Sequence, residues 1–235
     1  IVPLFAMMCR LKLPWHRRRT NKEVRSNFQY CHDLLAASMG RGFYSFAQFA
    51  TGVTVWTDAS KSNGYAGGGY VSSCGRYDFW RYGSRAARRP IDFLEGDTVV
   101  EACVRLAWRW SGCVVRFFID NRSFRDSAAK GRSKAERLNV LCQQVFQLML
   151  HYRFVVEWFW LASEDNVNAD HLSRNREQAF LDCVHNTECL APGAELIRFT
   201  GAGRTRVLPA NRDGKKPDIT RWGGDAEGSW PAPKL

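Results

Sequence analysis

Two apolar runs in this chain each stop on an aspartate: residues 53–57 before Asp58, and residues 114–119 before Asp120. VTVWT and VVRFFI are rich in β-branched and aromatic residues, and both read as buried strands. Between them, Ser62, Asn63 and Gly64 supply a turn, and residues 67–73 and 77–82 read as two further strands. Cys74, Gly75 and Arg76 form the hairpin connection of that pair. Gly67, Gly68 and Gly69 weaken their strand and mark a bulge or a close approach of backbone or ligand.

Pro90 introduces a helix that runs to about Trp110, with Asp92 as its N-cap and Glu95 at capping-box spacing. Helical patterns follow over residues 122–129 and 134–151, then an aromatic strand over 154–161 and a mainly helical stretch over 166–184. Three early strands joined by short turns pair antiparallel. Two later strands, each reached through a helix, add in parallel by right-handed crossovers. The expected class is α/β, a five-stranded mixed sheet flanked by helices.

The chain divides into a basic and helical connection segment (1–50), a domain carrying the strand pattern (51–185) and a C-terminal extension (186–235). Gly, Pro and charged residues make much of that extension a linker. Residues 28–39 of the first segment read as a helix. With Ile at position 1, the chain reads as part of a longer reading frame. Thirty-four Lys and Arg against 23 Asp and Glu leave a net charge of +11, which favours a polyanionic partner. Eight cysteines show no C-x-x-C pair and no zinc-ligand spacing. No apolar run is long enough to span a bilayer, and no secretory signal pattern is present. The expected setting is intracellular, cytoplasmic or nuclear, with no membrane partner.

Four acids fall at element ends: Asp58 and Asp120 after strands, Glu95 and Asp170 in the first turns of helices. If the first and fourth strands lie side by side and parallel, Asp58 and Asp120 emerge together at the carboxyl edge, where open α/β sheets place ligands. Glu95 heads a stripe with Thr98, Val99, Ala102 and Leu106 that faces the sheet. Like charges so gathered repel unless cations sit between them. Carboxylates suit Mg²⁺, and four of them can hold two ions about 4 Å apart astride a phosphodiester. Each acid alone has a local explanation as a turn or helix-start residue; their order is the stronger signal. Glu101 competes with Glu95, but its stripe through Val104, Arg105 and Trp108 is less apolar.

TDAS (57–60) with a Gly-rich second strand, FLE (93–95), IDN (119–121) and NVNADHLSR (166–174) resemble the ribonuclease H domain of reverse-transcribing elements. The last motif is the most specific, and it is similar to LTR-type, DIRS-like and pararetroviral polyproteins. This resemblance covers about residues 53 to 185. It implies a ribonuclease H-like fold and an endonuclease that cuts the RNA strand of RNA–DNA hybrids with two Mg²⁺ or Mn²⁺ ions. Asp58, Glu95, Asp120 and Asp170 would be the metal ligands, and a reverse transcriptase would be covalently linked in the native polyprotein. Ser60, Asn121, Arg122, Arg125, Lys130, Arg132 and Lys134 would form the nucleic-acid surface, the basic ones tracking the backbone. A solvated helix face explains those basic residues equally well.

Two departures stand out. Many members carry a His in the loop before the last Asp; here that loop is LASEDN (161–166), and His171 should point elsewhere on its helix. There is also no Tyr-x-Asp-Asp polymerase motif. A catalytically inactive binding or structural module on the same fold is therefore the alternative. A DEDD exonuclease would show Asp-x-Glu where Asp58-Ala-Ser60 stands, and a transposase or integrase would end on a Glu instead of Asp170.

Overall fold

A computed structural model describes residues 50–62 and 64–199, together with residues 24, 25, 28, 29, 31 and 32. The basic cluster upstream and the expected linker beyond residue 200 lie outside the described residues. Of the expected helix over 28–39, the described positions 28, 29, 31 and 32 are helical.

Strand β1 (Ala50–Ser62) is longer than its apolar run because its two halves have different partners. Its first half pairs in parallel with β4 (Cys113–Ile119), from Ala50↔Cys113 to Trp56↔Phe118. The second half pairs antiparallel with β2 (Tyr65–Ser72), from Val55↔Ser72 to Ser62↔Tyr65. Strand β3 (Arg76–Arg81) continues the antiparallel meander, and β5 (Val155–Trp160) lies parallel to β4. This is the mixed α/β arrangement expected from the sequence, three antiparallel strands followed by two parallel ones, with one correction: the sheet has six strands, ordered β5-β4-β1-β2-β3-β6. The extra strand is β6 (Ile197–Arg198), two residues parallel to the start of β3. Periodicity has no purchase on two exposed residues.

Helix α1 (Ser84–Ala87) is a single turn before α2 (Ile91–Leu106). The expected capping box does not form. Pro90 takes the N-cap position with an extended backbone, and its carbonyl accepts from Phe93 and Leu94 N–H. Asp92 therefore lies inside the first turn, where its carboxylate accepts from its neighbour Phe93 N–H and pairs with Arg137. The α-helix stops at Leu106 and a 3-10 turn carries the chain to Arg109, short of the expected Trp110. Helices α3 (Arg122–Ala129) and α4 (Glu136–Tyr152) follow their sequence patterns closely. The stretch over 166–184 is two helices, α5 (Val167–Ser173) and α6 (Glu177–Val184), separated at Asn175, whose φ is +60°.

Both sheet faces are covered. On one, α2 and α4 bury Leu94, Val99, Leu141 and Leu148 against Val55, Tyr70, Val115 and Phe117. Across the sheet, α5 and α6 close a smaller cluster of Val71, Tyr77, Phe79, Leu172, Phe180 and Val184. Cys189 is buried in that cluster, and Phe199 N–H bonds Tyr77 O, so residues 186–199 pack on the same sheet. The cysteines among the described residues are free thiols, with Cys103 and Cys142 buried in the main core as small hydrophobes.

The Gly-rich strand is where α5 comes closest. A Cβ on Gly69 would lie 2.6 Å from Leu172 Cβ and 2.8 Å from Ser173 N, and one on Gly67 would overlap Ser173 O. Of the alternatives open for these glycines, the structure shows a close approach of backbone, made by a helix a hundred residues downstream.

Candidate active site

Strand register decides where the first two acids go. Parallel pairing ends at Trp56↔Phe118. Asp58 and Asp120 each come two residues later, so both leave the same end of the sheet on the α5 face. Asp58 is 7% exposed, and one of its oxygens accepts from Ser173 Oγ. Burial raises its carboxyl to about 6, assisted by the charges of Asp120 and Asp170 and opposed by the Ser173 bond and Arg174.

Glu95 reaches the same end from α2, whose stripe of Thr98, Val99, Ala102 and Leu106 is fully buried as expected. Its carboxylate accepts from the Asn121 side-chain amide. Burial raises it to about 8, with Asp120 the next largest cause and Asp58 also contributing. Glu101 belongs elsewhere: it pairs at 3.3 Å with Arg105, which also binds Asp78 in a buried ion network on the far part of α2.

Asp120 Oδ2 accepts from Ser163 Oγ at 2.8 Å, while its Oδ1 is buried and has no hydrogen-bond partner. Trp160 Nε1–H donates to the Asp120 carbonyl at 2.9 Å. Asp170, in the first turn of α5, pairs with Arg174 at 2.7 Å. Asn166 joins α5 to the sheet by donating to Thr57 O at 3.0 Å, next to Asp58.

Asp58 thus feels the charges of Asp120 and Asp170, and Glu95 those of Asp120 and Asp58. Each acid is nevertheless turned toward a donor of its own. Among the described residues no three His, Cys, Asp or Glu side chains stand together as a formed metal site. The donor set still suits hard cations. It is all carboxylate, it holds an unpartnered buried oxygen on Asp120, and burial raises two of its members above the usual carboxylate range, an effect that nearby positive charge opposes.

The residues expected to meet nucleic acid separate into two groups. Ser60 Oγ donates to Ser173 O at 2.8 Å, and Asn121 holds Glu95 while capping α3 through Phe124 N–H, so both have internal partners. Arg122 lies 4.0 Å over the exposed Trp160 ring, beside Asp120. Arg125 pairs with Asp126 on α3, while Lys130, Arg132 and Lys134 are exposed between α3 and α4. Ser163, Asn166 and Ser173 were not singled out from the sequence. Ser173 sits inside the NVNADHLSR motif, but nothing in linear spacing connects it to Asp58, 115 residues earlier.

No family model matches the chain, and no curated protein does. Among solved structures, ribonuclease H1 from Halobacterium salinarum is 14% identical, with a TM-score of 0.45, covering 54% of this chain and 98% of that one. LC11 ribonuclease H1, solved in complex with an RNA/DNA hybrid, is 16% identical with a TM-score of 0.45, covering 55% and 99%. The N-terminal ribonuclease H domain of a Mycobacterium tuberculosis protein is 18% identical with a TM-score of 0.35, covering 57% and 99%. No described helix is long and apolar enough to cross a membrane.

Proposed function

We propose that this chain is a metal-dependent endonuclease that cleaves the RNA strand of RNA–DNA hybrids and forms part of a retroelement reverse transcriptase polyprotein. The observation that supports the reading is the β1–β4 register that brings Asp58 and Asp120 out at one sheet end, with Glu95 bonded to Asn121 beside Asp120 and Asp120 Oδ1 buried and unpartnered. The retroelement setting rests on the resemblance of the NVNADHLSR motif (166–174).

Those four carboxylates would hold two Mg²⁺ or Mn²⁺ ions. When bound, such ions supply an activated water for in-line attack and a counter-charge for the departing 3′ oxygen. The chain's own residues do the positioning. Ser173, Asn121, Ser163 and Arg174 each hold one acid, and Asn166 keeps α5 against β1. Arg122 on Trp160, with Lys130, Arg132 and Lys134 beyond, offers positive charge along a phosphate backbone leaving the acids. Contacts to 2′-hydroxyls would separate RNA from DNA.

The test is cleavage of a labelled hybrid with Mg²⁺ or Mn²⁺, by the wild type and Asp120→Asn. Turnover of the RNA strand that the substitution abolishes is the expected result; a folded wild type that cuts no hybrid with either ion refutes the reading.

A second reading, an inactive hybrid-binding module, is favoured by the absence of a formed metal cluster among the described residues and of His in the 161–166 loop. Hybrid binding indifferent to metal and to Asp58→Asn would select it.

A further inference from the structure

We propose that Ser173 is a positioning residue for the Asp58 carboxylate, fixing one of its oxygens so that the group is set for cation binding. This inference rests on the nuclease reading above. Ser173 is fully buried, and its Oγ donates to Asp58 Oδ2. Among the described residues, the one other acceptor of that hydroxyl is the Asp170 carbonyl, 3.0 Å away. A hydroxyl has a single proton to donate, and a carboxylate oxygen is the stronger acceptor.

The residue is also anchored through its main chain. Ser173 O accepts from Ser60 Oγ of β1 and Tyr65 OH of β2, both at 2.8 Å, which occupies both carbonyl lone pairs. Gly67 and Gly69 leave the space this needs, since a Cβ on either would meet the Ser173 backbone. Two strand hydroxyls and two glycines thus hold the last residue of α5 against the β1–β2 hairpin, with its hydroxyl aimed at Asp58. An alanine would fill the same volume with less polar demand. A buried hydroxyl directed at a carboxylate is what groups behind metal ligands do: they set orientation, and their loss typically costs about 10–100-fold in metal affinity or activity.

The experiment measures Mn²⁺ binding by isothermal titration, hybrid cleavage and thermal unfolding for the wild type, Ser173→Ala and Ser173→Cys. Ser173→Ala is expected to lose about 10–100-fold in Mn²⁺ affinity, with kcat reduced and KM for the hybrid unchanged. Ser173→Cys, with similar volume and a weaker donor, should fall between, and it decides the matter if the alanine variant does not fold. A lower Tm with wild-type Mn²⁺ affinity and kcat would show a merely structural serine and overturn the proposal. That result differs from failure of the nuclease reading, in which the wild type itself neither binds Mn²⁺ nor cuts hybrid; the positioning role then falls with it.

Discussion

Asn121 joins two structural tasks in one side chain: its carbonyl oxygen accepts from Phe124 N–H at 2.8 Å to cap α3, and its amide donates to Glu95. The start of α3 and the second carboxylate are therefore positioned together. Asn121→Asp keeps a capping acceptor but loses the donor and adds a charge beside Glu95 and Asp120. Its expected signature is a retained fold with strongly reduced cleavage. Asn121→Ala loses the cap as well, at about 1 kcal/mol, or a Tm lower by about 2–4 °C. Thermal unfolding and hybrid cleavage of both variants check this.

Acid pH should stabilise the metal-free protein. Asp58 is raised from 3.8 to about 6 and Glu95 from 4.5 to about 8, both chiefly by burial. For an acid whose folded pKa lies above its unfolded one, the folded state binds the proton more tightly. Its contribution is fully present below the unfolded pKa and is lost as pH rises through the folded pKa. Tm in EDTA should thus fall between about pH 4 and pH 8, and Glu95→Gln should flatten the alkaline part. Mg²⁺ should restore stability at pH 8. A Tm that does not fall over this window contradicts the buried, repelling arrangement.

The two glutamates of α2 make a clean pair. Glu101 is paired with Arg105 on the far part of the helix, whereas Glu95 stands with Asp120 and Asp58. Glu95→Gln should lower kcat by more than the roughly 100-fold upper figure for loss of an outer partner. Glu101→Gln should leave cleavage within a few-fold of wild type, at some cost in stability. Equal effects on kcat would place the second ligand wrongly.

Gly69→Ala should be felt in both stability and function. Its Cβ would lie 2.8 Å from the Leu172 and Ser173 backbone, which cannot move without carrying α5. Overpacking of this kind costs about 1–3 kcal/mol, readable by denaturant unfolding. Because α5 carries Asp170 and Ser173, Mn²⁺ affinity should fall alongside. Gly69 is also the antiparallel partner of Asp58 on β1, so the loss would report the position of α5 and of that strand pair together.

Arg105 and Asp78, both largely buried, form an ion pair that Glu101 and the Trp80 ring flank. Arg105→Met leaves Asp78 buried with less compensation, which costs about 3–5 kcal/mol. Adding Asp78→Asn should recover part of that loss. A double-mutant cycle by urea unfolding measures the coupling.

What the chain alone determined was largely local. Apolar runs ending on Asp58 and Asp120 marked β1 and β4, short turns marked the meander, and the stripe of Thr98, Val99, Ala102 and Leu106 marked the buried face of α2. These were legible because strand and helix periodicity records which face a residue buries. Only tertiary structure decided how far β1 extends, since its ends pair with different strands. It also decided that Pro90 caps α2, that β6 joins the sheet, and that Gly67 and Gly69 make room for α5. The partners of the acids belong to the same group: Ser173 reaches Asp58 across 115 residues and Ser163 reaches Asp120 across 43. A hydrogen bond between side chains so far apart leaves no periodic trace, because its geometry is created only when α5 and the loop before it settle on the finished sheet.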